Sequence, residues 1–153
     1  EPIENGGDRL TGGRARYRLY SASDGRQVAV GALEQKFWDA FCNVIDLPRH
    51  LRDDLADPAA TKAEVARRIV VKPSAHWAPL LEAADCCCTI VKTPAEAAAD
   101  PHFTARDTFG RVVSVGGEQV PALPLPIAPE FRGAVADSRA APDLGEQNAE
   151  FGL

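Results

Sequence analysis

Residues 20–38 decide the fold, and they read Tyr20-Ser-Ala-Ser-Asp-Gly-Arg-Gln-Val-Ala-Val-Gly-Ala-Leu-Glu-Gln-Lys-Phe-Trp38. Asp24-Gly25 predicts a hairpin turn, because glycine accepts a positive φ at little conformational cost. Before the turn, Tyr17 and Leu19 alternate with Arg16, Arg18 and Tyr20, which is a strand pattern. After the turn, residues 28–30 (Val-Ala-Val) begin a second strand. The stretch therefore predicts an antiparallel hairpin that leads directly into a helix.

The helix is predicted from about Glu34 to Ile45. Phe37, Phe41, Val44 and Ile45 recur at i, i+4, i+7 and i+8, which places them on one apolar face. Glu34 then lies in or beside the first helical turn, where the positive end of the helix dipole favours its ionised form. Read from the residues alone, Glu34 is a helix-end acid that contributes about 0.3–1 kcal/mol.

Two further helices are predicted downstream of a charged loop at residues 46–60. Thr61 and Glu64 form a capping-box pattern that starts the first of them. Ser74 is the expected cap of the next helix, and Pro79 predicts a kink or a later start there. The expected buried face of that helix consists of Trp77, Leu80, Leu81 and Ala84.

Residues 86–91 predict a short buried strand, and Thr93-Pro94 starts a brief alanine-rich helix that ends near Asp100-Pro101. Valines at 112–115 are expected to pair with residues 120–123 across Gly116-Gly117 in a second hairpin. The predicted fold class is α+β, a small antiparallel sheet built from hairpins with several helices packed on it. The predicted divisions are a flexible lead-in at 1–14, an α+β domain at 15–120 and an extended proline-rich tail at 121–153.

Length and composition limit the function. The chain has 153 residues, 45% of them hydrophobic, and a net charge of −5, which suits one domain with a core. The acidic balance argues against a nucleic-acid surface, and no apolar run approaches the roughly 20 residues of a membrane span. There is no methionine and no signal-peptide pattern, so we expect a piece excised from a longer protein, or else a complete protein released from a tag.

Cysteines and histidines suggest no site. Cys42 and the run 86–88 lack metal-ligand spacing, so we expect no metal and a structural role, and four free thiols favour a cytoplasmic location. His50, His76 and His102 stand apart from any nucleophile, so surface or structural roles are expected.

The ordered series of motifs resembles the family III CoA-transferase superfamily, whose characteristic motif is similar to residues 20–38. The ending at 142–148 is similar to the family's closing Pro-x-Leu-Gly-Glu-His-Thr, although Gln147 replaces the histidine, and Ile90 stands where members commonly have proline. The intervening matches, in the family's order, are Trp77, residues 85–89, Glu96, residues 100–102 and residues 106–109.

This resemblance implies that the chain is the smaller α+β domain and C-terminal part of a longer acyl-CoA-processing enzyme. The partner regions implied are an N-terminal Rossmann-like large domain that binds the CoA nucleotide, and a second subunit in an interlocked homodimer. A coenzyme A thioester is the implied substrate, with no tightly bound cofactor, no nucleic acid and no membrane. The isolated piece is expected to be inactive.

Glu34 is the one catalytic residue that the resemblance places in this chain. In racemase-branch members that resemble this sequence, the glutamate partners a catalytic histidine of the large domain, which also supplies a catalytic aspartate. The implied reaction is 1,1-proton transfer at the α-carbon of a 2-methylacyl-CoA. Two alternatives stay open: a true CoA-transferase, which uses a large-domain aspartate as nucleophile, and a non-catalytic domain that mediates dimer assembly.

Overall fold

The structure is a computed structural model that describes residues 6–122, 127–131 and 139–152. The chain divides into two compact units, residues 1–91 and 92–153. Both are α+β, which confirms the predicted fold class. Among the described residues, no helix is long and apolar enough to cross a lipid bilayer.

The first unit opens with the predicted hairpin. Strand β1 (Tyr17–Ser21) pairs antiparallel with β2 (Gln27–Gly31), and Gly25 takes a φ of +79° in the turn. Strand β3 (Cys88–Ile90) pairs antiparallel with the far side of β2, which gives the order β1-β2-β3. Both β1 and β3 are therefore edge strands.

Three helices supply seven of the sixteen buried hydrophobic residues of the described core: α1 (Gln35–Val44), α2 (Pro58–Ile69) and α3 (Ser74–Ala84). A short 3₁₀ turn at Arg49–Leu51 lies between α1 and α2. The largest fully buried apolar side chains of the core are Trp38, Phe41, Leu47, Ile69, Val28 and Val65.

The buried face of α1 differs from the predicted face of Phe37, Phe41, Val44 and Ile45. Trp38, Phe41 and Cys42 are buried, whereas Phe37 and Val44 are only partly covered. Trp38 takes the central place because its indole N–H finds an acceptor, the carbonyl oxygen of Arg52 at 2.7 Å. The predicted extent of the helix is otherwise correct, with Glu34 as its N-cap.

Both predicted caps of the later helices are wrong. Helix α2 begins at Pro58, and Asp57 caps it by accepting from the backbone N–H of Ala60 at 2.9 Å. Thr61 instead lies inside the helix, where its buried hydroxyl donates to the carbonyl of Leu51 at 3.1 Å. The helix starts at Pro58 rather than at Thr61 because a proline at the first helical position already has the required φ.

Helix α3 is capped from outside its own segment. The N–H and hydroxyl of Ser74 both donate to Asp24 Oδ2, at 2.9 and 2.6 Å, so the hairpin turn supplies the acceptor. These hydrogen bonds from Ser74 hold the pKa of Asp24 below its usual value. Pro79 lies within the helix rather than delaying its start, and Leu80 is exposed rather than buried.

The predicted strand at 86–91 is shorter and less buried than expected. Asp85 and Cys87 have φ values of 47° and 55°, a left-handed backbone that an extended strand cannot contain. Only residues 88–90 pair with β2, at the sheet edge. Cys86 is buried just before the strand, and Cys87 is exposed.

The second unit begins with α4 (Pro94–Ala98), whose Thr93 and Glu96 form a capping box. An unpredicted short helix, α5 (Pro101–Ala105), follows with Asp100 as its cap. The predicted second hairpin is present as β4 (Val112–Val115) and β5 (Glu118–Pro121), and predicted pairing at Leu123 lies outside the described residues.

The proline-rich region contains some regular structure. Strand β6 (Arg139–Ala140) pairs parallel with β4, so the sheet order is β5-β4-β6. Short 3₁₀ turns occur at Pro129–Phe131 and Asn148–Phe151. None of the described residues of the second unit is buried, and Phe131, Leu144 and Phe151 are all more than 70% exposed.

Candidate functional site at the start of helix α1

Glu34 stands at the junction between β2 and α1. Its backbone is extended, with φ −75° and ψ 144°, and its carbonyl oxygen accepts from the N–H groups of Phe37 and Trp38 at 3.1 and 3.0 Å. The side chain is exposed and makes no hydrogen bond or ion pair with any described residue. A carboxylate at this position is therefore available to a group outside the described part of the chain.

Arg16 contacts the residues on both sides of Glu34, the backbone of Leu33 and the side chain of Gln35. Its Nη1 donates to the carbonyl oxygen of Leu33 at 3.3 Å and to Gln35 Oε1 at 3.3 Å. Its Nε and Nη2 donate to Asp54 Oδ1 at 3.0 and 2.6 Å. One guanidinium thus ties the residue before Glu34 and the residue after it to a buried carboxylate.

The carboxylate of Asp54 is completely buried, and the side chain of Arg16 is only 11% exposed. Among the described residues, Arg16 is the one group that donates a hydrogen bond to Asp54, and Asp54 Oδ2 has no partner there. The guanidinium also lies 5.1 Å from the centre of the Trp38 ring. We refer to Arg16, Asp54 and Trp38 as the junction clamp.

The approach to Glu34 from β2 is fixed by a close backbone contact. The N–H of Gly31 donates to the carbonyl oxygen of Cys87 at 3.0 Å, and the N–H of Leu33 donates back to the Gly31 carbonyl at 2.9 Å. A side chain at position 31 would bring its Cβ within 3.2 Å of the Cys87 oxygen. Glycine there lets the chain turn tightly from the strand into the helix.

Neighbouring cations do not neutralise Glu34. Arg16 is engaged with Asp54, and the ammonium of Lys36 lies 4.5 Å from the centre of the Phe37 ring. A negative charge at the helix start is stabilised by the unpaired N–H groups of the first turn. The site therefore presents an exposed carboxylate on a rigid support.

All three histidines are exposed, which fits the surface or structural roles expected of them. His50 is exposed in the 3₁₀ turn, His76 packs edge-on against Trp77, and His102 packs edge-on against Phe103. None of them makes a hydrogen bond or ion pair to Glu34 within the described ranges.

Three of the four cysteine thiols are wholly or partly covered by the fold. Burial raises the pKa of the Cys42 thiol to about 12 and also raises the pKa of Cys86 and Cys88, so these thiols stay protonated. In the part of the chain that the structure describes, no group of three or more metal-ligating side chains converges.

Sequence reasoning located Glu34 but missed the junction clamp. The structure places Glu34 at the predicted helix start, with its side chain outside the core. Asp54 carries no local signal, because Asp53 beside it is exposed and the sequence does not distinguish the two. The prediction that Glu34 is catalytic stays a prediction.

The chain matches CoA-transferase family III over residues 1–148, and it belongs to that family. It is 30% identical over 147 residues to the alpha-methylacyl-CoA racemase of Mus musculus, an alignment that covers 92% of this chain and 37% of the racemase. The alpha-methylacyl-CoA racemase of Homo sapiens is 27% identical over 151 residues, covering 95% of this chain and 38% of that protein.

A solved structure shares the fold. The orthorhombic crystal form of Rv3272 from Mycobacterium tuberculosis superposes with a TM-score of 0.66 at 23% identity, covering 91% of this chain and 41% of that one. The chain thus spans well under half the length of each of these three proteins.

Proposed function

We propose that this chain is the small-domain and C-terminal part of an acyl-CoA racemase that inverts the α-carbon of 2-methylacyl-CoA thioesters by 1,1-proton transfer. The observation that carries the proposal is Glu34, an exposed carboxylate without a partner among the described residues, held at the start of α1 by the junction clamp. The similarity to two alpha-methylacyl-CoA racemases supports the same reading.

Glu34 acts as a positioning residue in this proposal. An ionised carboxylate accepts a hydrogen bond from one nitrogen of an imidazole, fixes its tautomer and stabilises its protonated form. The imidazole belongs to a histidine of the large domain, which exchanges a proton with the α-carbon. The acyl-CoA enolate formed after proton removal is then protonated on the opposite face by a second large-domain group.

The proposal extends to the whole protein. An N-terminal large domain carries the CoA site, two subunits interlock as a homodimer, and the enzyme works in the cytoplasm. The share of the relatives that the chain covers supports the additional domain, and the exposed apolar side chains of the second unit support its packing against other polypeptide. The chain by itself is then inactive.

Isotope exchange tests the reaction. The full-length protein, incubated with a 2-methylacyl-CoA of one configuration in D₂O, is expected to place deuterium at C2 and to produce both configurations. Glu34→Gln is expected to slow exchange by up to about 10⁴-fold, the loss seen when the carboxylate that orients the histidine of a catalytic triad is neutralised. Mass spectrometry of the recovered thioester measures both effects.

Glu82→Gln is the matched control, because Glu82 is an exposed glutamate on α3 of the same unit, and its exchange rate should equal that of wild type. The family's name favours one other reaction, transfer of CoA between carboxylic acids. Transfer from an acyl-CoA to a free acid, without deuterium at C2, would replace the racemase proposal with that one. A wild-type exchange rate in Glu34→Gln would reduce Glu34 to a helix-end acid.

A further inference from the structure

Among the described strands, the outer edge of β1 is unpaired. The N–H of Ala22 donates to the carbonyl oxygen of Arg26 at 2.8 Å, which fixes the alternation of the hairpin. Tyr20 and Arg18 therefore direct their backbone groups toward β2, whereas Leu19 and Ser21 direct theirs away from it. No described residue makes a backbone hydrogen bond to the outward groups of Leu19 or Ser21.

A groove of about 660 Å³ lies between this edge and helix α2. Its strand wall is residues 18–21, and its helix wall is formed by side chains at helical spacing on α2. Beyond the lining residues Ser21 and Val70, the N–H of Ser23 donates to the carbonyl oxygen of Lys72 at 3.0 Å. The helix wall consists of Lys62, Ala63, Ala66, Arg67 and Val70.

The groove is cationic in an acidic chain. Arg18, Lys62 and Arg67 line it, and none of the described lining residues is a carboxylate, although the chain has a net charge of −5. Within the described residues, Lys62 has no carboxylate partner, and Arg18 donates only to the carbonyl oxygen of Gly12 at 2.7 Å. Arg67 is paired with Glu64 but stays 64% exposed. The floor between the cations is apolar, formed by alanines, Leu19 and Val70.

We propose that this groove binds an extended acidic peptide segment of a partner protein, which adds as a strand to the edge of β1. The free N–H and C=O groups of Leu19 and Ser21 supply main-chain hydrogen bonds, as in other cases of strand addition. Lys62 and Arg18 bind carboxylates of the peptide, and alternate small apolar side chains rest on Ala63, Ala66 and Val70. An inorganic anion would use the cations but leave the strand edge unpaired, so the geometry favours a peptide.

Titration of the ¹⁵N-labelled 153-residue chain tests the proposal. The probes are two capped eight-residue peptides of alternating glutamate and valine, one for each register. Either peptide is expected to shift the amide resonances of Leu19 and Ser21 and those along the groove side of α2, and to slow hydrogen exchange at Leu19 and Ser21. Lys62→Glu is expected to weaken binding at least about tenfold, because it opposes a carboxylate with a like charge.

The matched control is Arg49→Glu, which makes the same change of charge sign at an exposed position outside the groove and should bind like wild type. A lysine–valine peptide should not bind. Absence of shifts with both acidic peptides at millimolar concentration overturns the proposal. Equal shifts with inorganic phosphate would show that the groove is a small-anion site, which contradicts the proposal. Shifts of Leu19 and Ser21 that depend on protein concentration without peptide would show that a second copy of this chain occupies the groove, which also contradicts it.

Discussion

Arg16 and Asp54 form the pair on which the Glu34 junction depends. Because Asp54 is fully buried and Arg16 is its donor, removal of the guanidinium leaves a buried charge without compensation. We expect Arg16→Met to lower the free energy of unfolding by about 3–5 kcal/mol. The double variant Arg16→Met/Asp54→Leu should recover a large part of that loss. Urea unfolding followed by circular dichroism measures both.

Arg67→Met is the control for this prediction. Arg67 also pairs with a carboxylate, Glu64 at 2.6 Å, but it is 64% exposed. Exposed pairs contribute about 0–1 kcal/mol. If Arg16→Met and Arg67→Met had the same small effect, the junction clamp would not stabilise the fold.

Contacts between individual residues were harder to predict from the sequence than helices and strands were. The place of Glu34 at a helix start was predictable from the spacing of apolar residues in α1, whereas its catalytic role was implied only by the family resemblance and stays a prediction. The junction clamp was not predictable, because Arg16 and Asp54 are 38 positions apart and only tertiary packing brings them together. Trp38 shows the same limit, since its central place depends on a hydrogen bond to Arg52 across the unit.

At the scale of the element, helix α2 carries a pH-dependent contribution. Hydrogen bonds from Arg67, and then from Arg68, lower the pKa of Glu64 from 4.5 to about 2. A carboxyl group whose pKa is lower in the folded state stabilises the protein above its unfolded pKa, and this contribution is lost as the pH falls through the folded pKa. The contribution of Glu64 is therefore complete above about pH 4.5 and disappears toward pH 2.

Glu64→Gln should accordingly lower the melting temperature at pH 7, and the difference from wild type should shrink as the pH falls from 4.5 to 2. The effect is modest because the ion pairs of Glu64 are partly exposed to solvent. Melting temperatures from circular dichroism across this range provide the measurement, and Glu82→Gln controls for the loss of a charge. A difference that is constant with pH would show that Glu64 acts through packing alone.

Element types were more predictable than element ends. The Asp24-Gly25 hairpin, the helix after Glu34 and the Gly116-Gly117 hairpin all follow from local patterns, and all are present. The caps were mispredicted in two ways: the local pair Asp57-Pro58 rather than Thr61 starts α2, and the distant Asp24 supplies the acceptor at the start of α3. The strand predicted over the cysteine run was too long, because Cys87 has a left-handed backbone and hydrophobicity does not indicate backbone conformation.

At the scale of the whole molecule, the described apolar core lies entirely in the first unit. Every buried hydrophobic residue falls between Ala15 and Cys86, and no described residue of the second unit is buried. Amide exchange reports such differences in local stability. We expect the slowest-exchanging amides in β2 and α1, and exchange at least about tenfold faster in β4 and β5. Exchange followed by NMR on the 153-residue chain measures this, and equal protection in β4 and β2 would contradict it.

The sequence predicted the fold class but not that the described core is confined to the first unit. The α+β class and the order of elements follow from the alternation of hairpins and amphipathic helices. The uncovered second unit does not, because valines in β4 and β5 have the same pattern whether or not another surface covers them. Whether these valines are buried depends on what packs against them, and the local sequence pattern carries no information about that.

The turn between β1 and β2 has a practical consequence for protein engineering. Exposed hairpin tips are ordinarily the places where an epitope tag or a circular-permutation break is tolerated. In this hairpin the turn is fastened at two points, by the carboxylate of Asp24 to Ser74 and by the N–H of Ser23 to Lys72. A label belongs instead at Gly116-Gly117, where the surrounding space is open.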